Sequence, residues 1–261
     1  AVGNLLGRLL VVIGLAMVLP LFWAFYYKGP DVMAFIQSFL LTVGTGLLLI
    51  ALTKIDDFGS KEGFAVAAIG WIVIAAFGAL PFVFGGVFPS FSDAYFETMS
   101  GFTTTGATVL TDIEGQAKGI LFWRSLIQWL GGMGIIILFI AFFPKTGIGS
   151  YQLFRAEAPG PTTERILPRI TETAKVLWGI YVGLSLLETI LLMLGGLTLY
   201  EALNYTFTSI STSGYSIRNL SVAAFDSPYL EGVLIFFMIL AGMNFTFFYM
   251  SRVQKFHKLC F

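Results

Sequence analysis

Two runs of this chain decide its fold: Phe102-Thr103-Thr104-Thr105-Gly106-Ala107-Thr108 and Ile210-Ser211-Thr212-Ser213-Gly214-Tyr215-Ser216. Each is rich in hydroxyls and turns on a glycine. Each follows an apolar segment too short to cross a bilayer, Asp93–Thr103 in the first case and Leu199–Ile210 in the second. Eleven or twelve helical residues reach only about 16–18 Å, roughly half a membrane. Each short segment stands between two segments long enough to span. Irregular backbone at membrane depth is tolerated only where protein buries it or where it lines a cavity. The expected unit is span, half-helix, Thr/Ser-Gly loop, span, and it occurs twice. The competing arrangement, two amphipathic helices on the membrane surface, fits the apolar short segments less well.

Composition sets the medium. The 261 residues are 57% hydrophobic and 11% charged, with mean hydropathy +0.85. A soluble chain carries about 25% charge. The expected class is an all-α integral membrane protein, and the 27 phenylalanines suit a lipid-facing surface. Zero net charge offers no basic surface for nucleic acid. The single cysteine, Cys260, forms no intrachain disulfide and says nothing of compartment. The first apolar segment is too long for a signal-peptide core and lacks a cleavage pattern.

Six spans are expected, over Leu5–Tyr27, Val32–Thr53, Gly63–Gly86, Gly119–Phe143, Ala174–Gly195 and Tyr229–Met250. Ser92 and Thr198 stand where N-caps belong, with Asp93 and Glu201 in the first turns. Lys54, Lys61, Lys145, Arg155, Arg165, Arg169, Lys175, Arg252, Lys255 and Lys258 fall on one side, against Lys28, Lys118 and Arg218 on the other. This asymmetry predicts cytoplasmic N- and C-termini, with both half-helices entering from outside. The domain reading is a transmembrane hairpin over 1–54 and a first pore repeat over 63–143. A cytoplasmic linker follows over 144–173, then a second pore repeat over 174–250 and a basic tail over 251–261.

The loops suit a dehydrated monovalent cation, which needs oxygens in place of its water. Backbone carbonyls supply them without formal charge, and glycine permits the dihedrals that aim them. Helix C-termini, carrying partial negative charge, would face the ion. An anion would want helix N-termini or basic rings, and neither loop contains a basic residue. The candidate ligands are Thr104, Thr105, Gly106 and Ala107 with Thr212, Ser213, Gly214 and Tyr215. Glu97 and Arg124 are the candidate filter supports; for Arg124 the competing account is snorkelling to the interface. Glu188 suits an interhelix hydrogen bond, with proton coupling as the other reading; Asn244 suits such a bond or the lining of the inner vestibule equally; Asp226 and Ser227 suit a helix cap, and Asp226 would also draw cations to the outer mouth. Gly131-Gly132-x-Gly134 suits close helix packing. His257, the only histidine, and the lack of a membrane aspartate pair argue against an intramembrane protease. A non-conducting scaffold that binds a cytoplasmic partner is the alternative to transport.

The chain resembles the Trk/Ktr family of bacterial potassium-uptake proteins, specifically the Trk-type (TrkH-like) membrane subunit. Phe91 to Thr108 is similar to that family's first pore helix and filter, and Phe122 to Gly134 to the helix after it. Ala156 to Lys175 resembles the cytoplasmic linker, and Ser211 to Ser216 the second filter. The resemblance implies potassium uptake through a filter of backbone carbonyls, with potassium ions at Thr104, Thr105, Gly106, Thr212, Ser213 and Gly214 and no organic cofactor. It implies a homodimer in the bacterial inner membrane and a nucleotide-binding, TrkA-like regulatory subunit on the cytoplasmic side. In plant relatives, glycine at the position of Gly106 accompanies potassium selectivity, and serine there admits sodium.

The family's pore has four units, and two are read here. The sequence therefore reads as the first half of a longer subunit, with a twofold dimer as the other way to complete the ring. The purified chain alone is expected to conduct nothing as a monomer. Potassium flux in liposomes, together with a monomeric mass, would contradict that.

Overall fold

The computed structural model describes residues 2–54, 60–134 and 170–243. The first apolar segment forms two helices in line, α1 (Val2–Ala16) and α2 (Val18–Tyr26), meeting at Met17. Pro20 has no N–H for Ala16, and its ring crowds that turn. After α3 (Val32–Leu52), the same device separates α4 (Ser60–Gly78) from α5 (Leu80–Phe84), with Pro81 just past the junction at Ala79. Next come α6 (Phe91–Phe102), α7 (Lys118–Gly132), α8 (Ile170–Leu194) and α9 (Leu199–Ile210). A short 3-10 turn, Ser221–Phe225, precedes α10 (Pro228–Gly242). Among the described residues there is no strand.

Among the described residues, four helical stretches are long and apolar enough to cross a membrane: Val2–Tyr26, Val32–Leu52, Ala65–Phe84 and Ala174–Leu194. Phe22, Phe25, Leu40, Leu41, Leu47 and Leu48 stand exposed on the first two. Large apolar side chains facing outward are costly in water and at home in lipid. The described residues form an all-helical membrane fold.

Three expectations are corrected. The N-cap of α6 is Ser90, and Ser92 lies inside the helix. Ser90 stands three residues before Asp93, so its Oγ accepts the Asp93 N–H at 3.2 Å and donates to the carboxylate at 2.8 Å. Ser92, adjacent to Asp93, is too near for that ring. Thr198 makes the matching box with Glu201 at the start of α9. The helix expected over Gly119–Phe143 closes at Gly132, where Gly134 takes φ 71° and its N–H bonds the Gly131 carbonyl at 2.8 Å. Three glycines in four residues hold a helix weakly. The helix expected over Tyr229–Met250 closes at Gly242, with Met243 extended. Asn244, His257, Cys260 and most of the linker lie outside the described residues.

Helix α1 crosses α3 where two glycines meet. A Cβ on Gly7 would lie 2.6 Å from the Gly46 carbonyl oxygen, and one on Gly46 would lie 2.7 Å from that of Gly7. Neither position has room for a side chain.

Helix α7 is the central post, packed against α2, α6 and α9. Gly119 to Gln128 are all buried. Its N-cap, Ala117, has no capping side chain. The cap comes from the hairpin: Asp31, in the turn before α3, accepts the Ile120 N–H at 3.1 Å. Burial pushes the Asp31 carboxyl above the ordinary carboxylate range, against the downward pull of the N–H groups around it. Nearby, Trp23 of α2 meets Phe122 of α7 and Tyr200 of α9, with ring centroids 5.8 and 5.2 Å away. The hairpin thus holds the N-terminal ends of both helices.

Losing the cap should cost about 1–2 kcal/mol. Asp31→Ala should lower the detergent melting temperature. Asp31→Asn keeps an acceptor without the charge that burial disfavours, and should recover most of the loss. Equal melting of Ala and wild type would remove the capping role.

Candidate functional site

The two hydroxyl-rich loops follow α6 and α9 and share one backbone course. Thr104 and Thr212 both take φ 54°, and Gly106 and Gly214 take φ 75° and 84°. A threonine in the left-handed region is uncommon, so its recurrence at one offset of 108 residues marks a common turn. Thr104 N–H bonds Gly101 O at 3.0 Å, and Thr212 N–H bonds Ser209 O at 2.9 Å. Thr105 N–H bonds Ser100 O at 2.9 Å, and Ser213 N–H bonds Thr208 O at 3.1 Å. Hydroxyls repeat the match. Thr103 donates to Met99 O at 2.8 Å and Ser211 to Phe207 O at 2.7 Å. Thr103 pairs with Thr105 at 2.8 Å, and Ser211 with Ser213 at 2.6 Å.

Past each glycine the loop is anchored at the same position by different chemistry. Thr108 donates to the Glu97 carboxylate at 2.8 Å, whereas Ser216 pairs with the Tyr205 hydroxyl at 3.1 Å. Glu97 and Tyr205 occupy equivalent places on α6 and α9. The anchoring hydroxyls then accept the Leu110 and Arg218 N–H groups, each at 3.0 Å.

Arg124 of α7 joins the two anchors. Its Nε lies 2.7 Å from Glu97, with the side chains 1% and 0% exposed. It is therefore buried and does not reach the interface. Its other nitrogens donate to Thr108 Oγ1 and to the Ser216 carbonyl, both at 3.1 Å. The guanidinium also lies over the Tyr215 ring, 4.0 Å from the centroid. One cation thus binds the end of both loops. Buried charge is tolerated only when paired and hydrogen-bonded, and here each nitrogen of Arg124 has a partner.

The loops also touch directly. A Cβ on Gly106 would overlap the Ser213 carbonyl oxygen. Tyr215 N–H reaches Gln128 Oε1 at 3.3 Å. Gly131 lies against the Phe102 carbonyl and Gly132 against Ser211, so the glycine cluster lets α7 approach the ends of α6 and α9. The candidate ligands Thr104, Thr105, Gly106 and Ala107 therefore lie beside Thr212, Ser213, Gly214 and Tyr215. A cavity of about 230 Å³ opens at the second loop, lined by Thr212, Ser213, Gly214, Tyr215 and, from α10, Leu234 and Met238. Among the described residues no group of three His, Cys, Asp or Glu side chains is placed to hold a metal ion. The oxygens on offer are hydroxyls and carbonyls.

Behind the second loop, Ser209 donates to Glu188 of α8 at 2.6 Å, an interhelix bond. Above it, Glu201 pairs with Arg218 at 2.6 Å. Burial pushes the Glu201 carboxyl up, but Arg218 and Thr198 outweigh it and hold it below the ordinary range. Ser227, not Asp226, caps α10, by accepting the Leu230 N–H at 3.5 Å. The segments that follow the two loops are tied crosswise. Glu114 accepts the Asn219 N–H at 3.0 Å, and Asn219 accepts the Ile113 N–H at 3.1 Å.

Sequence reasoning missed Tyr205, Gln128, Ser100 and the reach of Tyr215 across to the first loop. The offset of 108 residues carries a signal for Tyr205, because it places that residue opposite Glu97. No spacing foretells Gln128 or the Tyr215 hydroxyl, whose partners come from other elements of the fold.

Residues 31–260 match the model of the TrkH family, described as cation transport proteins. The chain belongs to that family. It is 37% identical over 249 residues to the Trk system potassium uptake protein TrkH of Salmonella typhimurium, covering 94% of this chain and 52% of that protein. To the protein of that name from Halomonas elongata it is 37% identical over 256 residues, covering 97% and 53%. The crystal structure of the potassium transporter TrkH from Vibrio parahaemolyticus superposes with a TM-score of 0.80 at 32% identity, covering 96% of this chain and 51% of that one. The chain spans about half the length of the curated TrkH relatives it matches. The family is one of cation transport proteins, not of enzymes.

Breaking a buried ion pair by removing one partner costs about 3–5 kcal/mol. Arg124→Gln and Glu97→Gln should each lower the melting temperature sharply. The double variant should cost clearly less than their sum, because it leaves no uncompensated charge. Additive losses in a thermal double-mutant cycle would mean that the two side chains act separately.

Proposed function

We propose that this chain is the first half of a potassium-uptake membrane subunit and that its two loops form two of four filter segments. On this reading α6 and α9 are pore helices, each within a span–pore-helix–loop–span repeat. Carbonyls and hydroxyls of Thr104, Thr105, Gly106, Thr212, Ser213 and Gly214 replace the water of a potassium ion. The observation that carries the reading is the matched backbone of the two loops, with the same residue of each in the same left-handed turn. Their direct contact at Gly106 and Ser213, and the single cation that ties both, favour a shared ion route over two independent sites. The relatives' names supply the ion.

Carbonyl oxygens bind a monovalent cation strongly enough to strip its water and weakly enough to release it. The negative ends of α6 and α9 lie beside the loops and add to the attraction. The remaining filter segments come from the second half of a full-length subunit. Such a subunit would work as a homodimer in the inner membrane, with a nucleotide-binding regulatory partner on its cytoplasmic side.

The test uses the full-length subunit in cells that lack potassium uptake. Expression should restore growth at low potassium, which a scaffold would not do. Gly106→Ser places a side chain where the Ser213 carbonyl lies and should lower the preference for potassium over sodium. Unchanged competition between the two ions would remove Gly106 from the filter.

A further inference from the structure

The first loop's Ala107 carbonyl is occupied. Ser100 Oγ donates to it at 2.6 Å, and the Tyr215 hydroxyl donates at 3.0 Å. Tyr215 belongs to the other loop, and its hydroxyl also lies 3.1 Å from the Glu97 carbonyl. A carbonyl oxygen has two lone pairs, and a donor stands within reach of each, with the single Tyr215 proton shared between Ala107 and Glu97. An ion approaching Ala107 must displace two donors held inside the protein, where unmade hydrogen bonds are costly. The second loop is built differently at this point. Thr208 stands at the place of Ser100, but its hydroxyl turns back to the Tyr205 carbonyl at 3.1 Å. Ala107, the residue equivalent to Tyr215, has no hydroxyl with which to return the contact.

We propose that Tyr215 and Ser100 are positioning residues for ion selectivity, which hold the Ala107 carbonyl off the ion route so that the two loops offer unequal oxygen sets. The ligand set of the first loop then ends at Gly106. That of the second runs on to the Tyr215 carbonyl. The asymmetry is set across the loops: the second loop's side chain withdraws an oxygen of the first. Arg124, stacked on the Tyr215 ring, keeps the hydroxyl at that reach. Selectivity depends on the number and strength of coordinating oxygens, so freeing one carbonyl should move it.

The inference rests on the filter reading, and the experiment separates the two. Tyr215→Phe removes the hydroxyl and keeps the ring beneath Arg124; Ser100→Ala removes the other donor. Each is made in the full-length subunit beside Gly106→Ser, and competition of sodium and rubidium against potassium uptake is measured at matched protein level. Both variants should change the ion-preference ratios several-fold. Their combination should be non-additive, because the two donors share one oxygen. A purely structural role would lower uptake of all ions together and leave the ratios unmoved. Unmoved ratios in both variants, with a shift in Gly106→Ser, would overturn the inference and leave the filter reading standing. Unmoved ratios in all three would remove both.

Discussion

A single guanidinium, buried at the middle of the molecule, holds the candidate site together. Arg124 satisfies Glu97, Thr108 and the Ser216 carbonyl and lies over the ring of Tyr215. A charge in so dry a place survives only with its partners in reach. The two loops must therefore stay where their ends meet it. Helix α7 carries this residue and is in turn fixed at both ends. Asp31 and the aromatic cluster of Trp23, Phe122 and Tyr200 hold its N-terminal end. Trp129, bonded to Ser185 at 2.9 Å and accepting from Tyr181 at its carbonyl, holds its C-terminal end to α8.

This arrangement gives the N-terminal hairpin a physical role. It carries no Thr/Ser-Gly loop, yet its turn supplies the cap that α7 lacks. Its aromatic end packs on α9 as well as α7. A helix that positions two loops cannot fray at its first turn without loosening both. Asp31 prevents this from a position remote in sequence.

The loops themselves combine sameness and difference. Their turns, hydroxyl pairs and glycine dihedrals coincide at one offset of 108 residues. Their anchors diverge: carboxylate on one side, phenol on the other. Only the carboxylate calls for a cation, and the arginine that answers it also reaches the second loop. Difference in the anchors is what lets one residue serve both turns.

The membrane setting, the two short helices and the Thr/Ser-Gly turns were legible in the chain. Apolar length and glycine spacing are local properties, and a constant offset reveals a duplicated unit. Glu97 and Arg124 were each readable as a support of the loops, but a charged side chain near a helix end can also snorkel, and only packing brings the two together. The N-cap of α6 was misplaced by two residues, because two serines precede Asp93 and only ring geometry chooses between them. The breaks at Gly132 and Gly242 were hidden by apolar runs that continue past them. The Tyr215 hydroxyl on Ala107, Asp31 on Ile120 and Ser209 on Glu188 could not be read in advance. Each joins residues from separate elements, and such contacts exist only once packing has set the distances between them.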